Sequence, residues 1–386
     1  MGMNTKKRIG ILTIHNSPNY GACLQAYALY TYLSQQTDVF CEIIDLHRPH
    51  EKGYIASKRF KPYRCVQQNK WKRIKAALRN VIFKNRKTDL YSVEAKSKFD
   101  AFNVGIKLSR PYWSIDELYA CPPDYDIYVT GSDQVWNPTQ PYCLEPYFLT
   151  FAPEGKKKIS YASSIAVTEL EVNEKKDFQH WLADYDIISV RERNARQLLE
   201  SFISKPVTLV ADPTFLLDAE IWKALAVNPQ NQSPYILLFT LDFNLDLLRF
   251  ALRVNKDAGL CLIYLNQLAP NLNGEKCVAI RDAGPKEFLG YIACADMVIT
   301  DSYHATVFSV ILEAKNFSTY IAEYNQRGSR ITDLLDTFGL QQHLLRQDLS
   351  EDYHTLSSRH IDWQRIRQVS QQERNCGREF LKKALS

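Results

Sequence analysis

Short apolar runs that end in polar junctions and give way to segments of helical period constrain this chain more than any other feature. Residues 8–14, 39–45, 125–130, 158–162, 186–190, 207–210, 235–240, 261–265 and 297–300 read as strands. Segments of helical period occupy 22–34, 191–202, 244–256, 285–295 and 305–314. Strands and helices alternating at this spacing imply parallel sheets covered on both faces, because a parallel pair needs a crossover that packs back on the sheet. At 386 residues the chain also exceeds what one core usually supports. We therefore expect an α/β protein with two Rossmann-like domains facing a cleft. Residues 1–215 form the N-terminal domain with a basic insertion at 52–87, 216–345 the C-terminal domain, and 346–386 a charged helical segment that packs back on the first domain.

Several function classes are disfavoured at once. Nine cysteines are scattered without a CxxC or a His/Cys ligand spacing, which argues against a zinc site and a disulfide framework. Neither GxGxxG nor GxxxxGK[ST] is present, and no GxSxG elbow supports a Ser/His/Asp triad. No run approaches 18 apolar residues, and Asn16, Ser17 and Asn19 interrupt the first apolar stretch before it reaches signal-peptide length. A cytoplasmic protein is the expectation. Its net charge of +5 is unevenly placed, with thirteen Lys or Arg and no Asp or Glu from 52 to 87. Trp71, Ile74, Leu78, Val81 and Ile82 recur there at helical spacing. A solvated helix packed on the domain, or a peripheral contact with anionic lipid, both follow from that pattern; no recognition motif accompanies the charge to suggest nucleic acid.

Ligands of parallel α/β sheets gather beyond the carboxyl ends of the strands, so the polar junctions carry the functional weight. In TDSYH, at 300–304, an apolar strand meets an apolar helix with Ser302, Tyr303 and His304 between them. A helix N-terminus suits phosphate or carboxylate, and His304 beside it suits proton transfer; alternatively Asp301 or Ser302 caps the helix and His304 packs against a neighbour. Arg191 ends a strand and is placed to pair bidentately with an anion, or with a local acid such as Glu192. Arg193 and Arg196 read as the helix's solvated or packing face. In GSDQVWN, at 131–137, Asp133, Gln134 and Asn137 are candidates to bind hydroxyls and Trp136 to stack on a sugar, or Trp136 belongs to the core. HNSPNYGA, with Asn19 and Tyr20, and the arginines around Gly328, including Arg330, are weaker candidates. The other histidines read as ordinary loop or surface residues.

Taken in order, GILTIHNSPNYGACLQAYAL, YVTGSDQVWN, ISVRERNARQLL, VADPTFLL, ITDSYHATVFSVI and GSRITDLL resemble the polysaccharide pyruvyl transferase family over residues 8–340. The resemblance implies a GT-B-like glycosyltransferase architecture, phosphoenolpyruvate as donor and a sugar hydroxyl pair as acceptor, with no further cofactor and no metal. It implies donor binding and catalysis at Arg191 and His304, on a donor side that adds Ser302, Tyr303 and Arg330. The acceptor side would be the N-terminal domain, with Asn19, Tyr20, Asp133, Gln134, Trp136 and Asn137. Some members carry Arg-Leu immediately before the histidine; this chain has Ser302-Tyr303, and Arg330 is the candidate to replace that cation. The competing readings are a GT-B glycosyltransferase using a nucleotide sugar, and a non-catalytic carbohydrate-binding protein.

Overall fold

The computed structural model describes residues 6–49, 51–63, 92–230, 233–241, 243–266, 277–323 and 328–386. The amphipathic segment expected around 71–82 lies outside them. Strands β1 (Lys7–Leu12), β2 (Val39–Ile43), β3 (Ile127–Thr130) and β4 (Lys157–Ser160) form a parallel sheet in the order β2-β1-β3-β4. A bridge from Ile159 to Ile187 continues it toward the parallel pair β5 (Ile188–Val190) and β6 (Val207–Leu209). The second sheet holds β7 (Tyr235–Phe239), β8 (Cys261–Leu265), β9 (Cys277–Ile280), β10 (Met297–Thr300) and β11 (Phe317–Thr319), in the order β11-β10-β7-β8-β9. Its pairs are parallel as well. The chain is thus α/β with two Rossmann-like halves.

The central strands explain the apolar runs. Every residue of β3, β7 and β10 is buried, as strands covered by helices on both faces must be. β9 and β11 escaped the sequence reading for the opposite reason. β9 is an edge strand with no fully buried residue, and β11 is three residues long and two-thirds hydroxylic. In each sheet the strand order reverses once near the middle, between β1 and β3 and between β10 and β7, and crevices form at such points. The junctions after β1, β3 and β10 open there.

Helix Tyr20–Ser34 joins the halves. Asn19 caps it by accepting from the Ala22 amide at 3.1 Å. Tyr20 then leaves the first domain, stacks on Phe288 with ring centroids 4.6 Å apart, and donates its hydroxyl to the Ala283 carbonyl at 3.0 Å. One core cluster consequently contains Leu24 and Ala28 from this helix together with Leu237, Val298 and Phe308 from the second sheet and its helices. Helix Trp363–Leu385 lies against the first sheet, where Leu381 and Ala384 join Ile9 and Ile11. Arg374 Nε donates to the Phe215 carbonyl at 3.2 Å, clamping the same helix to the segment between the sheets. Among the described residues no helix is long and apolar enough to cross a membrane.

Candidate active site

Arg191 follows β5 directly and its side chain is 1% exposed. Nη1 donates to Asp212 Oδ2 at 2.6 Å and to Ser132 Oγ at 3.2 Å, and Nη2 donates to Asp133 Oδ1 at 3.3 Å. A buried guanidinium is tolerable only with this kind of pairing. Burial works against its charge, yet Asp212, Tyr303 and the other nearby acids hold the pKa above the ordinary arginine value. Burial likewise pushes both carboxyls up. Contacts with His304, Arg191 and the Thr214 amide outweigh it at Asp212, and Arg191, His304 and Arg330 outweigh it at Asp133. Both stay below the usual carboxylate range.

From the other domain come Tyr303, His304 and Arg330. Ser302 caps helix Tyr303–Ile311, its hydroxyl accepting from the Ala305 amide at 3.3 Å. That hydroxyl is buried, and in this structure it serves as the helix cap. The Tyr303 ring has two guanidinium groups against it, that of Arg191 4.8 Å and that of Arg330 5.4 Å from its centroid, both in cation–π range. His304 Nε2 is 3.6 Å from Asp212 Oδ2, just beyond hydrogen-bond reach, and makes no hydrogen bond. Arg330, in the first turn of helix Ser329–Phe338, is buried with its Nε also unpartnered. Burial and the charge of Arg191 push its pKa down to about 10, so it remains cationic at neutral pH.

Two close approaches by glycine make this assembly fit. A Cβ on Gly21, in the first turn of helix Tyr20–Ser34, would lie 2.0 Å from His304 Nδ1, so the imidazole of one domain rests on the backbone of the other. A Cβ on Gly131 would lie 2.7 Å from Thr13, where the loops after β1 and β3 touch. Beside the cluster is a cavity of about 180 Å³ lined by Arg191, Asp212, Tyr303 and Arg330 among others. Its far wall includes Glu373 and Cys376 of the C-terminal helix. Two acids went unread as site residues in the sequence. Asp212 was visible as the acid after β6 in VADPT. Glu192 is 2% exposed, accepts from Ser164 Oγ, and burial, offset in part by Arg191 and Arg330, raises its pKa.

The family model for polysaccharide pyruvyl transferase matches residues 19–318. The chain belongs to this family. No curated protein sequence matches it. Among solved structures, the glycotransferase of kitacinnamycin superposes with a TM-score of 0.53 at 10% identity, covering 98% of this chain and 99% of that one. UDP-GlcNAc 2-epimerase of Methanocaldococcus jannaschii gives 0.53 at 11% identity, covering 97% and 99%. The UDP-N-acetylglucosamine 2-epimerase of Rickettsia bellii gives 0.52 at 11%, covering 98% and 97%. At such identities the likeness is one of fold, and the fold is GT-B-like.

For this pyruvyl transferase family member, the acceptor set expected from sequence needs revision. Trp136 is fully buried, stacks on Phe148 at 5.0 Å and donates its indole N–H to the Tyr147 carbonyl at 3.0 Å, leaving no ring face for a sugar. Tyr20 packs into the domain junction, and Asn19 Oδ1 accepts the cap bond while the residue stays part-exposed. Asn137 is buried and its amide donates to Gln134 Oε1 at 2.7 Å, a bond within the loop, while Gln134 stays part-exposed. Asp133 does reach the site, but as a partner of Arg191. Arg193 spans the domains, its amide donating to Asp333 Oδ2 at 2.9 Å. Among the described residues no group of three His, Cys, Asp or Glu is placed to hold a metal ion.

Proposed function

We propose that the protein moves the pyruvyl group of phosphoenolpyruvate onto two hydroxyls of a glycan, forming a cyclic ketal and releasing phosphate. One observation carries the reading: Arg330, buried and with its Nε lacking a hydrogen-bond partner, lines a cavity that Arg191 and Tyr303 also wall, and the next residue after Tyr303, His304, is likewise buried with its Nε2 unpartnered. Buried donors of this kind call for an acceptor, and a small dianion or trianion supplies several. Family membership supports pyruvyl transfer as the chemistry that such an anion undergoes.

In this scheme Arg330 and His304 hold the donor's phosphate and carboxylate, and Arg191 borders them while keeping Asp212 and Asp133 in place. The methylene carbon gains a proton, one sugar hydroxyl attacks the cationic centre, phosphate departs, and the second hydroxyl closes the ketal. In the same scheme His304 Nε2, which faces Asp212 and donates to the phosphate, passes its proton to that leaving group and regains one from a sugar hydroxyl. The protein acts in the cytoplasm, where phosphoenolpyruvate is available. Incubation with phosphoenolpyruvate and a panel of glycosides in heavy water tests the reading. A ketal methyl group carrying one deuterium, together with inorganic phosphate, is expected. A phosphorylated sugar with free pyruvate would overturn it, and transfer from a nucleotide sugar in a parallel arm would replace it with glycosyl transfer.

A further inference from the structure

A second polar cluster lies one strand away from the arginine site, at the carboxyl ends of β1 and β2. His47, which reads as a loop residue in the sequence, has both ring nitrogens facing carboxylates. Nδ1 is 2.9 Å from Glu51 Oε2 and Nε2 is 3.7 Å from Asp45 Oδ2. Asp45 Oδ1 is also 3.1 Å from Nε2 of His15. Asn16 Nδ2 donates to Glu51 Oε2, and Arg48 Nη2 donates to Asn16 Oδ1 at 3.1 Å. Arg48 is 6% exposed; its Nε lies 3.4 Å from Glu51 Oε1 without forming a hydrogen bond. Trp113 stacks on His47 with ring centroids 3.9 Å apart and stays 38% exposed at the rim.

Three facts separate this cluster from an internal tie. The His47, Asp45 and Glu51 side chains keep 13–16% of their surface, so each presents an edge to solvent. The cluster alternates acceptor-only carboxylates with Arg and Asn donors, and a vicinal diol, whose hydroxyls both donate and accept, is complementary to that alternation. It is also connected to the anion site by a short run of contacts. His15 Nδ1 is 3.3 Å from the Thr13 carbonyl, Thr13 Oγ1 donates to the Ser132 carbonyl at 3.0 Å, and Ser132 Oγ accepts from Arg191.

We propose that Asn16, Asp45, His47 and Glu51 form a carbohydrate subsite that holds hydroxyls of the acceptor glycan. The assignment rests on the pyruvyl-transfer reading, which identifies the neighbouring anion as donor, and it supplies sugar contacts that the buried Trp136 does not. Saturation-transfer NMR on the full chain with methyl galactoside, glucoside, mannoside and N-acetylglucosaminide tests it. At least one glycoside should receive saturation. Glu51→Gln and the less buried Asn16→Ala should each weaken its Kd by at least about tenfold, the loss expected when a charge-assisted or paired hydrogen bond goes. Calorimetry with phosphoenolpyruvate on the same samples should give unchanged binding, which also certifies the variants as folded. Saturation of no glycoside, or retention of binding by either variant, overturns the subsite. If the parent binds a glycoside through these residues but does not bind phosphoenolpyruvate, the subsite stands and the pyruvyl-transfer reading falls.

Discussion

The junctions after β3 and β10 are composed alike: a polar start, a hydroxyl, an acid and one aromatic residue within seven positions. After β10 the helix begins at once, Ser302 caps it, and Tyr303 and His304 in its first turn reach the domain cleft. After β3 the chain turns instead, with Asp133 in the left-handed region at φ 68°. That one conformation divides the motif. Asp133 faces Arg191, while Trp136 swings back beneath Phe148 and Tyr185. Similar sequences therefore built a charged site in one place and half a site plus core in the other.

Arg191→Ala should sharpen that contrast most. The side chain is buried with two carboxylates against it, so its removal strands Asp212 and Asp133 without their cation. Loss of one partner of a buried pair typically costs about 3–5 kcal/mol, and turnover should fall by about 10²-fold or more as the charge-assisted contacts go. Urea unfolding and the ketal assay read the two effects separately. A variant of parental stability would mean that the buried ion pairs do not form in solution. Arg191→Lys should recover little, since an ammonium cannot reproduce the forked contact to Asp212, Ser132 and Asp133.

Trp136→Ala probes the other junction. Emptying an indole from the core costs about 3–5 kcal/mol, and the molecules that remain folded should bind glycosides as the parent does. Weaker glycoside binding at intact stability would return Trp136 to the acceptor site and collapse the comparison.

Gly21→Ala should act more locally. The added methyl would sit 2.0 Å from His304 Nδ1 and must displace the imidazole from its present position 3.6 Å from Asp212. A displacement of about 1 Å at a reacting group can cost about 10²-fold in rate. Turnover should therefore drop while phosphoenolpyruvate binding, shared with Arg330, declines less. Equal losses of both would show that the glycine shapes the whole anion site.

Much of the architecture was legible because β3, β7 and β10 are apolar throughout, and only strands buried on both faces read that way. Arg191 and His304 were legible for a related reason: each stands where such a strand ends. The partners were less so. Glu192, next in the chain to Arg191, was in view as its local acid, but Asp212 and Gly21 lie in separate segments, and nothing local announces that they converge on one guanidinium and one imidazole. Trp136 misled because an aromatic residue after a strand is equally suited to ligand and to core, and only the backbone turn at Asp133 decides. His343 shows the same limit. It sits in a polar stretch that reads as surface, yet it is buried under β11 with Nδ1 donating to the Phe317 carbonyl at 2.7 Å.

The smallest effect expected is one of pH, and its sign differs between two acids that flank Arg191. Asp212 has its folded pKa held below the value of an unfolded aspartate, about 3.9. The unfolded chain thus binds the proton first, and the stability Asp212 contributes is complete above that value and is lost as pH falls through the folded pKa. Glu192 is raised by burial, so the folded chain holds its proton after the unfolded chain has released it. Its contribution is favourable below the unfolded glutamate range and declines as pH rises toward the folded pKa. Asp212→Asn should accordingly be least stable relative to the parent near neutrality, with the gap narrowing in acid. Glu192→Gln should shift the opposite way, gaining relative to the parent as pH rises from about 4 toward 7 across the ordinary glutamate range. Urea midpoints measured at both ends of that interval decide the matter. Parallel profiles for the two variants would show that the acids share one environment, and that the division between a paired carboxylate and a proton-holding one does not exist.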